Sequence, residues 1–201
     1  MKEIIDRIVE VLRNGGLVLY PTDTVWGIGC DATAALSVAR VFALKRREDS
    51  KSLVLLARDM EMIEKYVDEV PQMARELVAV NDAPMTIIYP GAVVSVPTGK
   101  SGRPSQGLAA NCVAADGSVG IRIPQGSPFC MELLERFGRP IVSTSANISG
   151  EPTPRSFGEI SPEIISGVDC VADPSCEGAS AGCPSQIIKL DLDGAVKIIR
   201  G

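Results

Sequence analysis

Apolar positions along the chain alternate between helical and strand spacing, and this alternation divides the chain into successive elements. The first apolar residues recur at helical spacing up to Leu12, and Asn14-Gly15-Gly16 predicts the end of that helix. Further helices are predicted at 33–45, near 59–66 and 71–80, at 127–138, and briefly from Ser156. Short apolar runs predict strands at 17–20, 53–57, 85–89, 118–123, 141–143, 185–190 and 195–199, and Asp193-Gly194 predicts a hairpin between the last two.

Helices that alternate with strands and close on a hairpin are typical of one fold class. The pattern predicts a single α/β domain over 1–201, with a twisted mixed parallel and antiparallel sheet flanked by helices. Residues 91–117 are rich in glycine, serine, proline and alanine and show no period. We therefore expect a mobile surface loop or lid there.

Length and hydropathy favour a cytoplasmic protein. The chain has 201 residues, of which 45% are hydrophobic and 22% charged, as in ordinary globular domains. No apolar run approaches the ~20 residues that span a bilayer. Acidic residues interrupt the N-terminal apolar stretch, which argues against a signal peptide.

The charged residues restrict the possible chemistry. A net charge of −5 disfavours tight autonomous binding of nucleic acid, so at most weak direct binding is expected. The chain has no histidine, which removes the usual general base and the commonest metal ligand. Its six cysteines follow no zinc-binding spacing, and we expect reduced thiols. A disulfide or a soft metal at Cys170, Cys176 and Cys183 is the alternative.

Two glycine motifs imitate phosphate-binding loops. Residues 27–32 fit the dinucleotide pattern G-x-G-x-x-A, but Pro21-Thr22-Asp23-Thr24 separates them from the preceding strand, where the pattern needs a tight turn. Gly99-Lys100-Ser101 resembles the end of a P-loop, although Val94 occupies the position of the leading glycine. Neither motif predicts a nucleotide site.

Polar side chains gather instead where strands end. Thr22 and Thr24 follow the first strand, Arg122 closes another, and Ser143-Thr144-Ser145-Ala146-Asn147 follows Ile141-Val142. Ligands of open α/β sheets bind at the carboxyl ends of strands, so a polar ligand is expected here. Taken singly, each residue has a structural alternative. The hydroxyls can satisfy backbone groups, Asn147 can form a turn, Arg122 an ion pair, and the 45–47 cluster a solvated helix end.

Four motifs in this order resemble those of the YrdC-like family, the threonylcarbamoyl-AMP synthases. They are Pro21-Thr22-Asp23-Thr24-Val25-Trp26-Gly27-Ile28-Gly29, Lys45-Arg46-Arg47, Arg122-Ile123-Pro124 and Ser143-Thr144-Ser145-Ala146-Asn147-Ile148-Ser149-Gly150. The resemblance implies a YrdC-like fold and a nucleotidyltransferase that condenses L-threonine, bicarbonate and ATP into threonylcarbamoyl-AMP and pyrophosphate. It implies Mg²⁺ with ATP, no metal held by the protein, and a tRNA-modifying transferase as the partner that accepts the product. With the net charge of −5, at most weak direct tRNA binding is expected.

The resemblance also implies roles for particular residues. Lys45 and Arg47 are expected to act on the ATP phosphates as the catalytic cations, with Arg46 as the alternative. Further ATP-binding candidates are Ser143, Ser145, Asn147, Thr153 and Arg200. Threonine-binding candidates are Thr22, Ser118, Arg122 and Ser185. Trp26 is expected to pack against the sheet instead of stacking on adenine.

The chain departs from the family pattern in three places. Asn81-Asp82-Ala83 replaces a Trp-Pro-Gly stretch, Glu48 replaces a proline, and Gln186 replaces a threonine after Ser185. Two other functions stay open at this stage. One is an RNA-binding module of the same fold, and the other is a carbamoyl-adenylate-forming enzyme with a different acceptor, as in hydrogenase-maturation proteins with a related domain.

Overall fold

The structure is a computed structural model that describes residues 1–47, 53–95, 107–178, 182 and 184–201. Its α-helices are α1 (Lys2–Arg13), α2 (Ala35–Leu44), α3 (Met60–Glu64), α4 (Gln72–Val80), α5 (Pro128–Phe137) and α6 (Pro162–Gly167). Short 3-10 helices lie at Ala110–Cys112, Phe157–Glu159 and Pro174–Cys176. The helix predicted from Ser156 is thus a single 3-10 turn, and α6 was not predicted.

The strands of the described residues form one sheet. They are β1 (Val18–Tyr20), β2 (Gly27–Asp31), β3 (Val54–Leu56), β4 (Met85–Tyr89), β5 (Val119–Arg122), β6 (Ile141–Ser145), β7 (Cys170–Val171), β8 (Gln186–Leu190) and β9 (Val196–Arg200). Their order across the sheet is β7-β1-β2-β6-β3-β5-β4-β8-β9. β3 pairs with β5 in parallel and with β6 antiparallel, so the predicted mixed α/β sheet is confirmed.

Strand β2 contains the dinucleotide-like glycines. Gly27 pairs with Tyr20 of β1 and with Ser145 of β6, both in antiparallel register. A strand that is bonded on both sides cannot turn around a pyrophosphate, so these glycines do not form a dinucleotide loop. This strand was not predicted from the sequence, because its glycines carry no apolar side chain at alternate positions.

Helix ends follow the residues that can form them. Asn14 closes α1, and Gly15 follows with a φ of 76°, a left-handed conformation that glycine adopts without steric cost. Ser127 caps α5 by accepting a hydrogen bond of 3.2 Å from the Cys130 amide, and Gly138 ends it with a φ of 76°. α1 and α5 bury their apolar faces against the sheet and each other.

The segment expected to be a lid is only partly described. Leu108 and Cys112 have no exposed surface, and Leu108 bridges Val94, so residues on both sides of 96–106 pack into the core. The lid prediction for 96–106 and the P-loop-like Gly99-Lys100-Ser101 lie outside the described residues. Across the described ranges, every helix is too short or too polar to cross a membrane.

Candidate functional site

A cavity of about 290 Å³ is lined by residues of β2, β3, β5, β6, β8 and β9. It collects three arginines and several hydroxyl side chains from distant parts of the chain. The lining residues are Thr22, Thr24, Val25, Gly27, Arg47, Val54, Arg122, Ser143, Thr144, Ser145, Thr153, Pro184, Ser185, Ile187 and Arg200. Most of the site residues predicted from the sequence therefore meet here. Lys45, Asn147 and Ser118 are not among the described lining residues.

Strand β6 supplies one wall of the cavity. Ile141 and Val142 are fully buried, whereas Ser143, Thr144 and Ser145 are only partly buried and line the cavity. The strand is therefore anchored by its apolar half, while its polar half pairs with β2 and, at Ser143, also with β3. This pairing fixes the backbone that carries the serine hydroxyls without help from a ligand.

Gly27 keeps space open in front of this wall. A Cβ atom at this position would lie 3.1 Å from the Ser143 hydroxyl oxygen and 3.5 Å from the Thr22 methyl carbon. Both neighbours line the cavity. The glycine thus leaves a volume that any larger residue would occupy.

We expect Gly27→Ala to lower ligand affinity without lowering stability. The added methyl group reduces the cavity, and crowding of this kind typically costs ~1 kcal/mol or more, which corresponds to at least about a fivefold loss in ATP affinity. Because alanine restricts the unfolded chain, the melting temperature should stay level or rise slightly. Isothermal calorimetry with ATP and thermal unfolding measure the two effects.

Gly120→Ala in β5 is the matched control. A Cβ atom there would make ordinary contacts of 3.4 Å and 3.8 Å with Thr86 and Ile88, away from the cavity lining. Its ATP affinity should equal that of the wild type. An unchanged affinity for Gly27→Ala would mean that ATP does not approach β2.

Lys45 anchors the turn that follows β6. Its ammonium Nζ donates hydrogen bonds of 2.5 Å to the Ser145 carbonyl and 2.6 Å to the Asn147 carbonyl. The residue is only 3% exposed, and its own carbonyl accepts a 2.9 Å bond from the Ser149 amide. In this structure Lys45 therefore lies behind the cavity wall and fixes it, instead of projecting into the cavity.

Asn147 closes the same turn. Its Oδ1 atom accepts a 2.5 Å hydrogen bond from the Ser145 hydroxyl, and its Nδ2 donates a 2.7 Å bond to the Glu151 carbonyl. The side chain thus holds the Ser145 hydroxyl in place at the cavity edge. Asn147 was predicted to face a nucleotide, and the structure places its polar atoms within the turn.

Burial also changes the charge state of Lys45. Removal from water, and to a lesser extent the nearby Arg47, lower the pKa of Lys45 from its ordinary value to about 8. An unfolded lysine titrates near 10.4. Between these values the folded protein binds fewer protons, so the contribution of Lys45 to stability rises with pH there. At pH 7 the lysine is charged in both states, and the cost of burying it is fully present.

We expect ATP binding to weaken as the pH rises through about 8. Loss of the Lys45 charge removes an attraction for the phosphates of about 1 kcal/mol, or roughly fivefold to tenfold in affinity. ATP calorimetry from pH 7 to 9.5 without threonine measures this. Lys45→Arg stays charged throughout and should lose the transition. A transition that persists in Lys45→Arg would assign it to another group.

Thr22 organises the crossing between β1 and β2. Its hydroxyl donates a 2.7 Å bond to the Val25 carbonyl and accepts a 3.1 Å bond from the Thr24 amide. The Thr22 and Thr24 hydroxyl oxygens lie 2.9 Å apart. These bonds form a local side-chain turn that presents both threonines to the cavity.

Arg122 is a buried cation at the end of β5. Its guanidinium forms an ion pair with the Asp23 carboxylate, and Nη2 donates a 3.3 Å bond to the Thr24 hydroxyl. The Arg122 and Asp23 side chains are only 5% and 6% exposed. Asp23 was missing from the predicted site, although its place between two threonines was the signal that could have identified it.

The other two arginines lie nearer to solvent. Burial lowers the pKa of Arg47 and of Arg200 from the ordinary value, but a guanidinium still carries its charge at neutral pH. Arg200 donates bonds of 3.0 Å and 2.6 Å to the Ser185 carbonyl. The Ser185 hydroxyl in turn lies 2.8 Å from the buried Thr86 hydroxyl. Strand β9 is thereby tied to the cavity.

Ser118 lies away from the cavity. It precedes β5, and Arg122 ends that strand, so the two residues are at opposite ends. The Ser118 hydroxyl donates a 2.6 Å bond to Asp116, which also forms a 2.7 Å ion pair with Lys189. Ser118 belongs to this separate polar cluster.

A second cavity of about 210 Å³ contains the residues that depart from the family pattern. Asn81, Asp82 and Ala83 line it, together with Asp23 and Gln125. It lies on the other side of the Asp23–Arg122 pair from the first cavity, because Asp23 lines only the second and Arg122 only the first. Glu48, the other departure beside the phosphate-binding candidates, is outside the described residues.

Two further predictions concern residues outside the cavity. Trp26 is 1% exposed, and its ring centroid lies 5.0 Å from that of Phe157, which confirms a packing role in this structure. Cys30, Cys112, Cys130, Cys170 and Cys176 are free thiols, and Cys183 is outside the described residues. Burial raises the pKa of Cys112 and Cys130 to about 12, so neither is a thiolate at neutral pH.

Comparison with known proteins places these features in a family. Residues 10–201 match the Sua5/YciO/YrdC family, which carries the description "Telomere recombination". A threonylcarbamoyl-AMP synthase from Stenotrophomonas maltophilia (strain K279a) is 33% identical over 189 residues, covering 92% of this chain and 94% of that relative.

Two solved structures share the fold. The crystal structure of E. coli YciO has a TM-score of 0.79 and 25% identity, covering 100% of this chain and 89% of that one. P. abyssi Sua5 complexed with L-threonine has a TM-score of 0.78 and 27% identity, covering 92% of this chain and 50% of that one. The chain therefore spans half the length of P. abyssi Sua5 but nearly all of the S. maltophilia relative.

Proposed function

This chain belongs to the Sua5/YciO/YrdC family, and we propose that it is an L-threonylcarbamoyladenylate synthase. The amine of L-threonine takes up the carbon of bicarbonate with loss of water and becomes a carbamate. A carbamate oxygen then attacks the α-phosphorus of ATP, and pyrophosphate leaves. The product is threonylcarbamoyl-AMP.

The charge of the cavity is the observation that carries this proposal. Its described lining includes three arginines and many hydroxyl groups but no carboxylate. Each reactant is an anion or bears a carboxylate, so such a lining attracts all three reactants together. Phosphoryl and nucleotidyl transfer depend mainly on alignment and on neutralising phosphate charge, and they need no nucleophilic side chain.

The positions of the arginines suggest how the reactants are arranged. Arg122, deep in the cavity beside Thr22, binds the threonine carboxylate through a charge-assisted fork. Arg47 and Arg200, nearer to solvent, bind the phosphates, with hydroxyls from β6 and Thr153 as additional donors. A volume of about 290 Å³ suits the reacting groups, so the adenosine extends beyond it.

The lining of this cavity suits magnesium ions that are bound to ATP. The described lining lacks the carboxylates that usually hold Mg²⁺, and the described residues contain no group of three or more acidic or cysteine side chains that could bind a metal. We propose that Mg²⁺ enters with ATP as part of the substrate, where it would neutralise part of the phosphate charge.

The product defines the partner. A carbamoyl adenylate is a reactive mixed anhydride, so it has to be passed to an acceptor before it hydrolyses. We propose that a tRNA-modifying transferase accepts it in the cytoplasm. The net charge of −5 argues that the tRNA is held mainly by that partner.

Pyrophosphate release tests the proposal. Purified protein with ATP, Mg²⁺, bicarbonate and L-threonine should release pyrophosphate, and omission of threonine or depletion of bicarbonate should each abolish the release. Mass spectrometry should detect threonylcarbamoyl-AMP before it decays. Release that does not need threonine would refute the assignment.

A further inference from the structure

Asp23 and Arg122 are joined across a large part of the sheet. Asp23 lies between β1 and β2, whereas Arg122 ends β5. In the order β1-β2-β6-β3-β5, four strand spacings separate β1 from β5, or about 19 Å. Through β3, Arg122 lies level with Ile141, at the end of β6 away from this segment. The segment from Pro21 to Trp26 therefore reaches Arg122 across a face of the sheet, and the ion pair fastens the segment to β5.

The Asp23 carboxylate lies on the side of Arg122 that faces the second cavity. Asp23 lines the second cavity and Arg122 the first, so the ion pair lies between the two cavities and the carboxylate is not part of the lining that faces the proposed substrates. Gly126 supports Asp23 there, because a Cβ atom at Gly126 would lie 3.3 Å from the Asp23 Cβ atom. The carboxylate is thus confined between Arg122 and the Gly126 backbone.

Arg122 keeps donors for a ligand. A guanidinium has five N–H groups. Asp23 accepts from Nη1 and Thr24 accepts from Nη2, which leaves three of them for other acceptors. A substrate carboxylate can therefore bind without displacing Asp23.

We propose that Asp23 is a positioning residue for threonine recognition, which rests on the proposed function. It fixes the plane of the Arg122 guanidinium so that the remaining N–H groups point into the cavity. It also holds Thr22 and Thr24 in place on the crossing segment. Asp23 does not touch the substrates, so its effect on them passes through Arg122.

Asp23→Asn tests this proposal with little change in shape. A neutral amide binds Arg122 more weakly, so the guanidinium loses its fixed orientation. The dissociation constant and the KM for threonine should rise tenfold or more, while the ATP dissociation constant changes less than twofold. In an Arg122→Lys background, Asp23→Asn should raise the threonine KM by less than a further twofold, because the guanidinium fork is already lost.

Asp31→Asn is the matched control. Asp31 is also buried and forms a 2.6 Å ion pair with Arg139, but neither residue lines a cavity described above. This variant should lower the melting temperature and leave threonine binding unchanged. Asp23→Ala, checked by thermal unfolding and ATP binding, provides a stronger version of the same test.

The outcomes separate this proposal from the proposed function. Threonine binding that is equal in wild type and Asp23→Asn overturns the positioning role alone, as do equal losses of ATP and threonine affinity. Fully multiplicative effects of Asp23→Asn and Arg122→Lys overturn it as well. Wild-type protein that binds no threonine overturns both this proposal and the proposed function.

Discussion

Arg122→Ala is expected to raise the KM for threonine at least a hundredfold and to leave the ATP dissociation constant within about threefold of wild type. The substitution removes two charge-assisted hydrogen bonds to the proposed substrate carboxylate, at roughly 1.5–3 kcal/mol each. It also leaves Asp23 buried without its cation. The free energy of unfolding should therefore fall by about 3–5 kcal/mol. Steady-state kinetics at saturating ATP and chemical denaturation measure these effects.

Two companion variants separate recognition from folding. Arg122→Lys keeps a charge beside Asp23 but cannot form the planar fork, so it should stay folded and still raise the threonine KM about tenfold. Arg139→Ala removes the half-exposed partner of the buried Asp31 and should lower stability without changing the threonine KM. Equal losses of ATP and threonine binding in Arg122→Lys would show that Arg122 has only a structural role.

Lys45→Met should lower both stability and ATP affinity. Methionine keeps the apolar stem, but the Ser145 and Asn147 carbonyls lose their shared donor. The Ser145 carbonyl still accepts a 2.9 Å bond from the Asn147 amide, so one acceptor loses its donor and the free energy of unfolding should fall by about 1–3 kcal/mol. Because the β6 wall then shifts, ATP affinity should drop a hundredfold or more. Chemical denaturation and calorimetry report the two effects.

Arg46→Met is the neighbouring control. Arg46 forms a surface ion pair with Glu163, in which the side chains are 66% and 49% exposed. Exposed pairs of this kind contribute at most about 1 kcal/mol. Similar stabilities for the two variants, with ATP affinity retained in Lys45→Met, would show that the lysine does not support the wall.

The sequence located the cavity wall but not the support behind it. An apolar pair followed by Ser143-Thr144-Ser145 indicates a strand that ends in polar groups, and β6 has this form. Lys45 follows α2, where a lysine is ordinarily solvated. It is buried only because the turn after β6, a hundred residues later, folds over it. Local pattern carries no information about such a contact.

Strand β2 was not predicted because it contains two glycines. Position 29 in β2 requires a glycine, because a Cβ atom there would lie 2.6 Å from the Tyr20 ring and 2.8 Å from the Val142 carbonyl oxygen. The close packing of β2 between β1 and β6 leaves room only for a glycine, and a glycine interrupts the alternation of apolar side chains by which a strand is predicted. The Asp23–Arg122 pair escaped prediction for a related reason, since it joins residues that four strand spacings separate.

The position of each strand in the sheet has a consequence for local unfolding. β6 is bonded on both sides, whereas β9 pairs only with β8 and all of its residues are exposed. Backbone amides of Ile141–Ser145 should exchange with solvent only through global opening, and those of Val196–Arg200 through fraying of the edge. Arg200 therefore belongs to the least protected strand that reaches the cavity. Slower hydrogen exchange in β9 upon ATP binding would report nucleotide occupancy at this edge, and exchange in β6 would slow as well because ATP stabilises the folded state as a whole.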